Sequence, residues 1–498
     1  MFWLLVPFFL LTLAMGGILV PKLNLILQLV CREYFIQSND AVSINVNLKH
    51  TLLDSDNKKC RIPEVQALAT KFMLYLTIVA GILSAIMAPK LGALSDRFGR
   101  LKLLIITSLG AFCGEIITIL AGTYPDLVHY RWLLVGAALD GFCGSFTAGM
   151  ALTHAYAADC TAPPKRAVAF GYFHACLFSG IAVGPLIAAA LVKETGSIIT
   201  MFYFALGIHT LFILYILLIV PESLSKKRQL LAREKYAAEL GGQFNSGRTG
   251  WRYSLKRANI LSPLKILFPT GPGTSTALRA NLILLSAVDT IIFGVAMGAM
   301  TVVVYYMGYQ FGWDTAEISV FTSIVNSFRV STLVIVLPLL NYLVHTRRAN
   351  RQRRDSGFAI PEPNSGSDTL DLSIVRAAIC FEVIGYGGYA LVRSEGLFVV
   401  AGILASMGGI GSPTLQSALT KHVPHDKVGQ LLGATGLLHA LARIVCPLIF
   451  NLIYAWTVKD FPQAVFVVLC SCFFVAFLCS WFIKPNSESS PPSPNSPL

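Results

Sequence analysis

Twelve transmembrane helices in two six-helix bundles, an all-α membrane protein with cytoplasmic N and C termini, is the architecture that this chain of 498 residues predicts. Three observations lead there. Apolar residues make up 55% and charged residues 13%, with a mean hydropathy of +0.65, which leaves too little polar surface to solvate a water-borne globule of this size. Apolar runs recur along the chain, and most reach the roughly 20 residues needed to cross about 30 Å of hydrocarbon. The net charge of +13 sits in loops between those runs, chiefly 221–277 and 344–373. Cations concentrated in alternate loops mark the cytoplasmic side of a membrane. That placement points to a lipid bilayer and excludes nucleic acid as the partner.

The runs divide into two sets of six. The first lies near 2–29, 66–88, 102–122, 132–157, 168–192 and 199–220; the second near 279–307, 316–343, 374–392, 397–420, 429–455 and 464–483. Residues 1–220 therefore form one bundle and 278–484 the other. Met1 opens directly into an apolar run with no basic leader, so the first run reads as a spanning helix and not a cleaved signal peptide. Gly16-Gly17 and Pro21 are expected to interrupt it. Residues 221–277 read as a cytoplasmic basic linker lying along anionic headgroups, with a short interfacial helix over Leu230–Leu240. The insert 344–373, carrying Arg347, Arg348, Arg351, Arg353 and Arg354, and the Ser/Pro-rich tail 485–498 read as disordered cytoplasmic segments.

The turn between the second and third runs is the most distinctive string. Gly92-Ala-Leu94-Ser-Asp96-Arg97-Phe-Gly99-Arg100-Leu-Lys102 is glycine-spaced, polar and basic, as a tight antiparallel hairpin on the cytoplasmic side requires. It resembles the G-x-L-x-D-R-x-G-R-[KR] signature of the major facilitator superfamily at six positions, and that signature also lies between second and third helices. The first run, Gly17-Ile-Leu-Val-Pro21-Lys-Leu-Asn24, is similar to the first helix of tetracycline–proton antiporters and their eukaryotic relatives. In the fifth run, Gly180-Ile-Ala-Val-Gly184-Pro185 resembles the helix-five motif of proton-driven antiporters, though its closing glycine pair is Ala188-Ala189 here. A plain packing seam is the other reading of those glycines. The fourth run departs from the family's L-x-R-x-x-Q-G: anchored on Gly144, it places Asp140 where the arginine stands and Cys143 where the glutamine stands.

Further charges fall inside runs: Glu115, Asp289, Arg329, Glu382 and Arg443. Each costs at least about 2.5 kcal/mol at the bilayer centre, so each needs a partner or water. The resemblance implies that spans one, four, seven and ten line a central path with two, five, eight and eleven beside them. Asp140, Asp289, Arg329 and Arg443 would then face the path, while Glu115 and Glu382 would lie on supporting helices. Structural pairing, such as Asp289 with Arg329, is the alternative. His154, His174, His209 and His439 lack metal-site spacing and read as hydrogen-bonded bundle residues. Cys31 and Cys60 flank the long external loop; a disulfide between them and two unrelated thiols are both open readings.

Phosphate-loop, nucleophile-elbow and zinc-protease motifs are absent from the sequence, so no enzyme, cofactor or metal is expected. The family resemblance implies a secondary active transporter of a small organic solute, working by alternating access on a proton gradient, with Asp140, Asp289, Arg329, Arg443 and Glu382 as substrate and proton-coupling residues. Efflux is favoured over uptake. A non-transporting nutrient sensor on the same fold is the alternative function, and a membrane-embedded enzyme is the remote third. The chain is read as a monomer in the plasma membrane or a vacuolar or endosomal membrane.

Overall fold

A computed structural model describes residues 1–37, 62–245, 262–270, 274–313, 315–346 and 366–485. Among these residues there are 12 helices long and apolar enough to cross a membrane. They run Phe2–Ile36, Glu64–Phe98, Arg100–Thr123, Tyr130–Cys160, Pro163–Thr195 and Ile199–Leu218, then Thr276–Gln310, Glu317–Val344, Thr369–Leu391, Glu395–Thr420, His425–Thr457 and Ala464–Trp481. We call these spans 1 to 12. The chain is an all-helical, multi-pass integral membrane protein.

The two halves repeat one packing scheme. Span 1 lies along span 5 as span 7 lies along span 11, and span 3 pairs with span 6 as span 9 pairs with span 12. Span 2 packs along span 11, and span 5 against spans 8 and 10, which joins the halves. The second half is filled by aromatic rings: Tyr306 meets Phe466 edge-on at 4.8 Å, and Tyr389 lies 4.4 Å from Phe398. Outward faces remain apolar, as lipid contact requires; Leu186, Leu217, Leu218 and Leu397 are all exposed.

Local chemistry sets the boundaries. Gly99 at φ 99° turns span 2 into span 3, and we call that end of the molecule the hairpin end. The Ser275 hydroxyl accepts from Leu278 N–H at 3.0 Å and caps span 7. Asp368 and Asp371 form a capping box at the start of span 9.

Several expectations need correction. Span 1 is one helix, Phe2–Gln37, uninterrupted by Gly16-Gly17 or Pro21. The break falls instead in span 4. Its helices Leu133–Phe142 and Ser145–Cys160 are separated at Cys143 and Gly144, with Gly144 at φ 94° and Ser145 at φ 53°. A left-handed serine costs on the order of 1–3 kcal/mol and persists only where its surroundings hold it. Span 10 is also interrupted, by a tight turn over Gly408–Ile410, at a depth matching the break in span 4. The linker helix is longer than expected, covering Lys226–Asn245. The helical part of the region expected to be disordered is also larger: span 8 continues in helical form to Thr346, and span 9 begins at Thr369. The remainder of that insert, 347–365, and the tail from 486 lie outside the described residues.

Candidate functional site

The hairpin end is closed by charge and glycine together. Gly92 of span 2 touches Gly429 and Gly433 of span 11 so closely that a Cβ on Gly92 would fall on the Gly429 carbonyl oxygen. Across this seam the Asp96 carboxylate accepts the Gly429 N–H at 3.1 Å and the Gln430 N–H at 2.8 Å, both in the open first turn of span 11. Arg100 grips Asp96 at 2.6 Å and Asp159 at 2.9 Å, and both Arg100 and Asp159 are sealed from solvent. Glu222 accepts the backbone N–H groups of Arg100 and Leu101 and so caps span 3. Gly99 leaves room for that carboxylate, since a Cβ there would strike it. Arg97 points outward and lies 3.4 Å from the Tyr236 ring of the linker helix.

A second seam joins the halves at the same end. Arg166, at the start of span 5 and fully buried, reaches the Thr420 carbonyl at 3.4 Å and the His425 ring at 3.2 Å. The second half holds a buried pair of its own, Lys421 to Asp371 at 2.6 Å. It occupies the place of Arg100–Asp159 with the signs exchanged.

Gly180 and Gly184 form a packing seam. Their missing side chains leave space for the backbone of span 1 at Thr12, Gly16 and Gly17, and Gly16 and Gly17 leave space for them in return. Pro185 sits inside the helix directly beyond this contact. The glycines that seemed to interrupt span 1 are thus its docking face.

In the middle of the membrane the ionisable groups form two layers. In the layer nearer the hairpin end, Asp289 is fully buried and bonded to His439 Nε2 at 2.9 Å and the Ser412 hydroxyl at 3.3 Å. Phe293 stacks on His439 at 4.2 Å. Opposite, His174 donates to the Phe170 carbonyl at 3.1 Å and stacks on His154 at 5.1 Å, with Gln416 beside His154. Arg329 pairs with Glu382 at 3.6 Å and lies over the Phe178 ring at 4.8 Å. Gly408 and Gly409 at the break in span 10 make room for these two side chains. Asp289 and Arg329 are therefore not each other's partners, and Glu382 is drawn into the interior.

The other layer lies one helical turn away along span 11, where Arg443 follows His439 by four residues. Lys22 of span 1 approaches Glu115 of span 3 at 3.9 Å. Asp140 takes a hydrogen bond from the Ser145 hydroxyl and interacts through space with Lys22 and Arg443. The layer thus holds two cations and two carboxylates.

Sequence reasoning missed Lys22, Asp159 and Arg166, and it read His439 as a hydrogen-bonded bundle residue without naming Asp289 as its partner. The i, i+4 spacing of His439 and Arg443, which puts them on one helix face, was the available signal for His439. Asp159 and Arg166 flank the Pro163-Pro164 turn, where charges at span ends look like ordinary solvated residues. Cys31 is disulfide-bonded, while the other described cysteines are free thiols; Cys60 lies outside the described residues.

Two pseudo-equivalent bundles around two layers of buried charge, with interrupted helices in spans 4 and 10, define a membrane transporter. A family model of the Major Facilitator Superfamily matches residues 64–356. The chain is 32% identical to the MFS-type transporter avaJ of Aspergillus versicolor, over 99% of this chain and 90% of that protein. It therefore belongs to the Major Facilitator Superfamily. It is also 22% identical to the proton-coupled folate transporter of Bos taurus, over 80% of this chain and 76% of the relative. Among solved structures, the human organic anion transporter MFSD10 shares the fold with a TM-score of 0.66 at 17% identity, covering 96% of this chain and 98% of that one.

Proposed function

We propose that the protein moves a small organic solute across the membrane by alternating access and couples that movement to protons. The observation that carries the coupling is Asp289, buried without exposure against His439 within the second half. A carboxylate–imidazole pair can share one proton and pass it on, and an ionisable pair at this depth is costly unless it works. A relative whose name states proton coupling supports the same reading.

The hairpin end is the cytoplasmic end in this proposal. Its basic residues, Arg97, Arg100 and Lys102 with the linker helix, support that orientation. So does the disulfide at Cys31, at the opposite end of span 1, because disulfides persist outside the cytosol. With Asp96 and Arg166 closing both seams, the conformation is the one sealed toward the cytoplasm. The resemblance of span 5 favours proton-exchanged efflux. Its glycines, however, are engaged in packing against span 1, so we rest direction on the charge balance of the site.

The test is proton movement in vesicles. Proteoliposomes loaded with a pH-sensitive dye are challenged with a panel of small organic solutes, and at least one should carry protons with it. Asp289→Asn should remove that proton flux while leaving solute binding. Proton flux in Asp289→Asn equal to the parent's overturns the coupling assignment.

A further inference from the structure

Resting on the transporter reading above, we propose that Arg443 is the docking cation for the carboxylate of an organic anion, and that the anion binds together with a proton on Asp140. Arg443 lies midway along span 11 and is open to the space between the halves. Among the described residues it makes no hydrogen bond and no ion pair; its one charged neighbour of opposite sign is Asp140, acting through space. An unpaired guanidinium at this depth in a bilayer is a default functional residue.

Its surroundings fit an anionic group. Arg443 borders a cavity of about 40 Å³ with Thr77 and Ser84 of span 2 and Ser145 and Thr147 of span 4. That volume holds a carboxylate head, while the rest of a solute extends into the space between the halves. The break in span 4 places the first turn of the helix Ser145–Cys160 at the same cavity, with its open N–H groups and positive dipole end. Ser84 holds the broken strand of backbone by donating to the Gly144 carbonyl at 2.7 Å. A guanidinium and open N–H groups converging on one small cavity recognise a planar anion.

The charge count dictates the proton. Around Asp140 stand Arg443 from span 11, Lys22 from span 1 and Glu115 from span 3; span 2 contributes only hydroxyls, and Asp289 of span 7 is held by His439 one turn away. With both carboxylates ionised, the two cations and two carboxylates balance while the site is empty. An anion entering alone would leave an excess negative charge in a poor dielectric, whereas an anion with one proton keeps the balance. Protonating Asp140 also frees the Ser145 hydroxyl, which now donates to Asp140, to donate to the newcomer. Carboxylate and proton therefore travel together, and an acidic exterior drives uptake.

Purified protein is tested by thermal shift with benzoate, 2-naphthoate and laurate, each beside its uncharged amide, at pH 5.5 and 7.5. At least one carboxylate, but not its amide, should raise Tm, with apparent affinity about fivefold or more tighter at the lower pH; one linked proton permits at most about tenfold per pH unit. Arg443→Gln should abolish the shift, and Arg443→Lys should keep part of it. Asp140→Asn should bind with less than about a twofold difference between the two pH values. If no carboxylate shifts the parent, or Arg443→Gln binds as the parent does, the site is wrong. Proton-linked flux of an uncharged solute in the same preparation would leave the transporter reading standing after such a failure. Carboxylate binding with no proton flux for any solute would sink the proton-coupling reading and leave the site.

Discussion

Replacing Asp96 by asparagine tests the closed hairpin end directly. The Asp96–Arg100 contact lies within one half and persists in any arrangement of the halves, so it cancels from the opening equilibrium. What the closed state alone gains is the pair of N–H bonds from Gly429 and Gln430, at 3.1 and 2.8 Å. Bonds to a buried carboxylate contribute about 1.5–3 kcal/mol each, and neutral ones about 0.5–1.5. The amide of asparagine loses one bond, since its NH2 meets an N–H, and weakens the other. Closure should therefore weaken by about 2–4 kcal/mol, which shifts the closed-to-open ratio by roughly 30- to 900-fold. Hydrogen exchange reads this out. Amides of 428–436 should exchange faster in Asp96→Asn, and so should those around Gly171 and Leu333–Leu337, which touch each other at the second seam but not Asp96. Faster exchange confined to 429–430 would mean a lost helix cap and no opening. Unchanged exchange at both seams would refute the gating role outright. Gly92→Val should open the same seams, because its side chain would fall on the Gly429 carbonyl.

Other expectations follow from single contacts. His439→Gln should keep solute binding but lose proton-driven accumulation, because the amide can bond Asp289 yet cannot titrate; full accumulation in vesicles would remove His439 from the relay. Gly180→Val drives a side chain into the Thr12 backbone and should cost more than about 3 kcal/mol, seen as loss of the monodisperse peak on size exclusion; a normal peak and Tm would refute the seam. Burial lowers the pKa of His422, the larger influence over its bond to the Ala418 carbonyl and the nearby Asp371, which raise it. The unfolded chain therefore binds this proton more readily, and stability present above the ordinary imidazole range near pH 6.5 is lost as pH falls through it. The Tm difference between pH 7.5 and 5.5 should shrink in His422→Gln; an unchanged difference would assign the acid sensitivity elsewhere.

Much of the fold was legible because membrane solvation is a coarse filter. Run length and loop charge place twelve spans with little dependence on detail, and the string Gly92–Lys102 locates the hairpin that Asp96, Gly99 and Arg100 build. The site was legible only in its ingredients. Asp140, Asp289, Arg329, Glu382 and Arg443 stand out as charges inside apolar runs, yet which of them meet depends on how the helices are turned against each other. Asp289 found His439, a residue whose hydrogen-bond partner a line of letters does not name, and Arg329 found Glu382 across a helix break. That break, like the one at Gly144, was hidden because many membrane glycines serve close packing. Gly16 and Gly17 do so, and pattern alone does not separate a docking glycine from a hinge.

The all-glycine contact of Gly92 with Gly429 and Gly433 has a kinetic corollary. When surfaces of leucine or lysine meet, each side chain must freeze one rotamer, at up to about 2 kcal/mol apiece for the long ones, and must find it before the contact is complete. Glycine has no rotamer to choose. If this end opens, the glycine contact itself can form and part with almost no side-chain ordering, and the pair of carboxylate-held amides would then set how long it lasts. Speed and dwell time at this end of the molecule would thereby rest on different residues, so that a change at Asp96 should shorten the closed state without slowing the approach at the glycines.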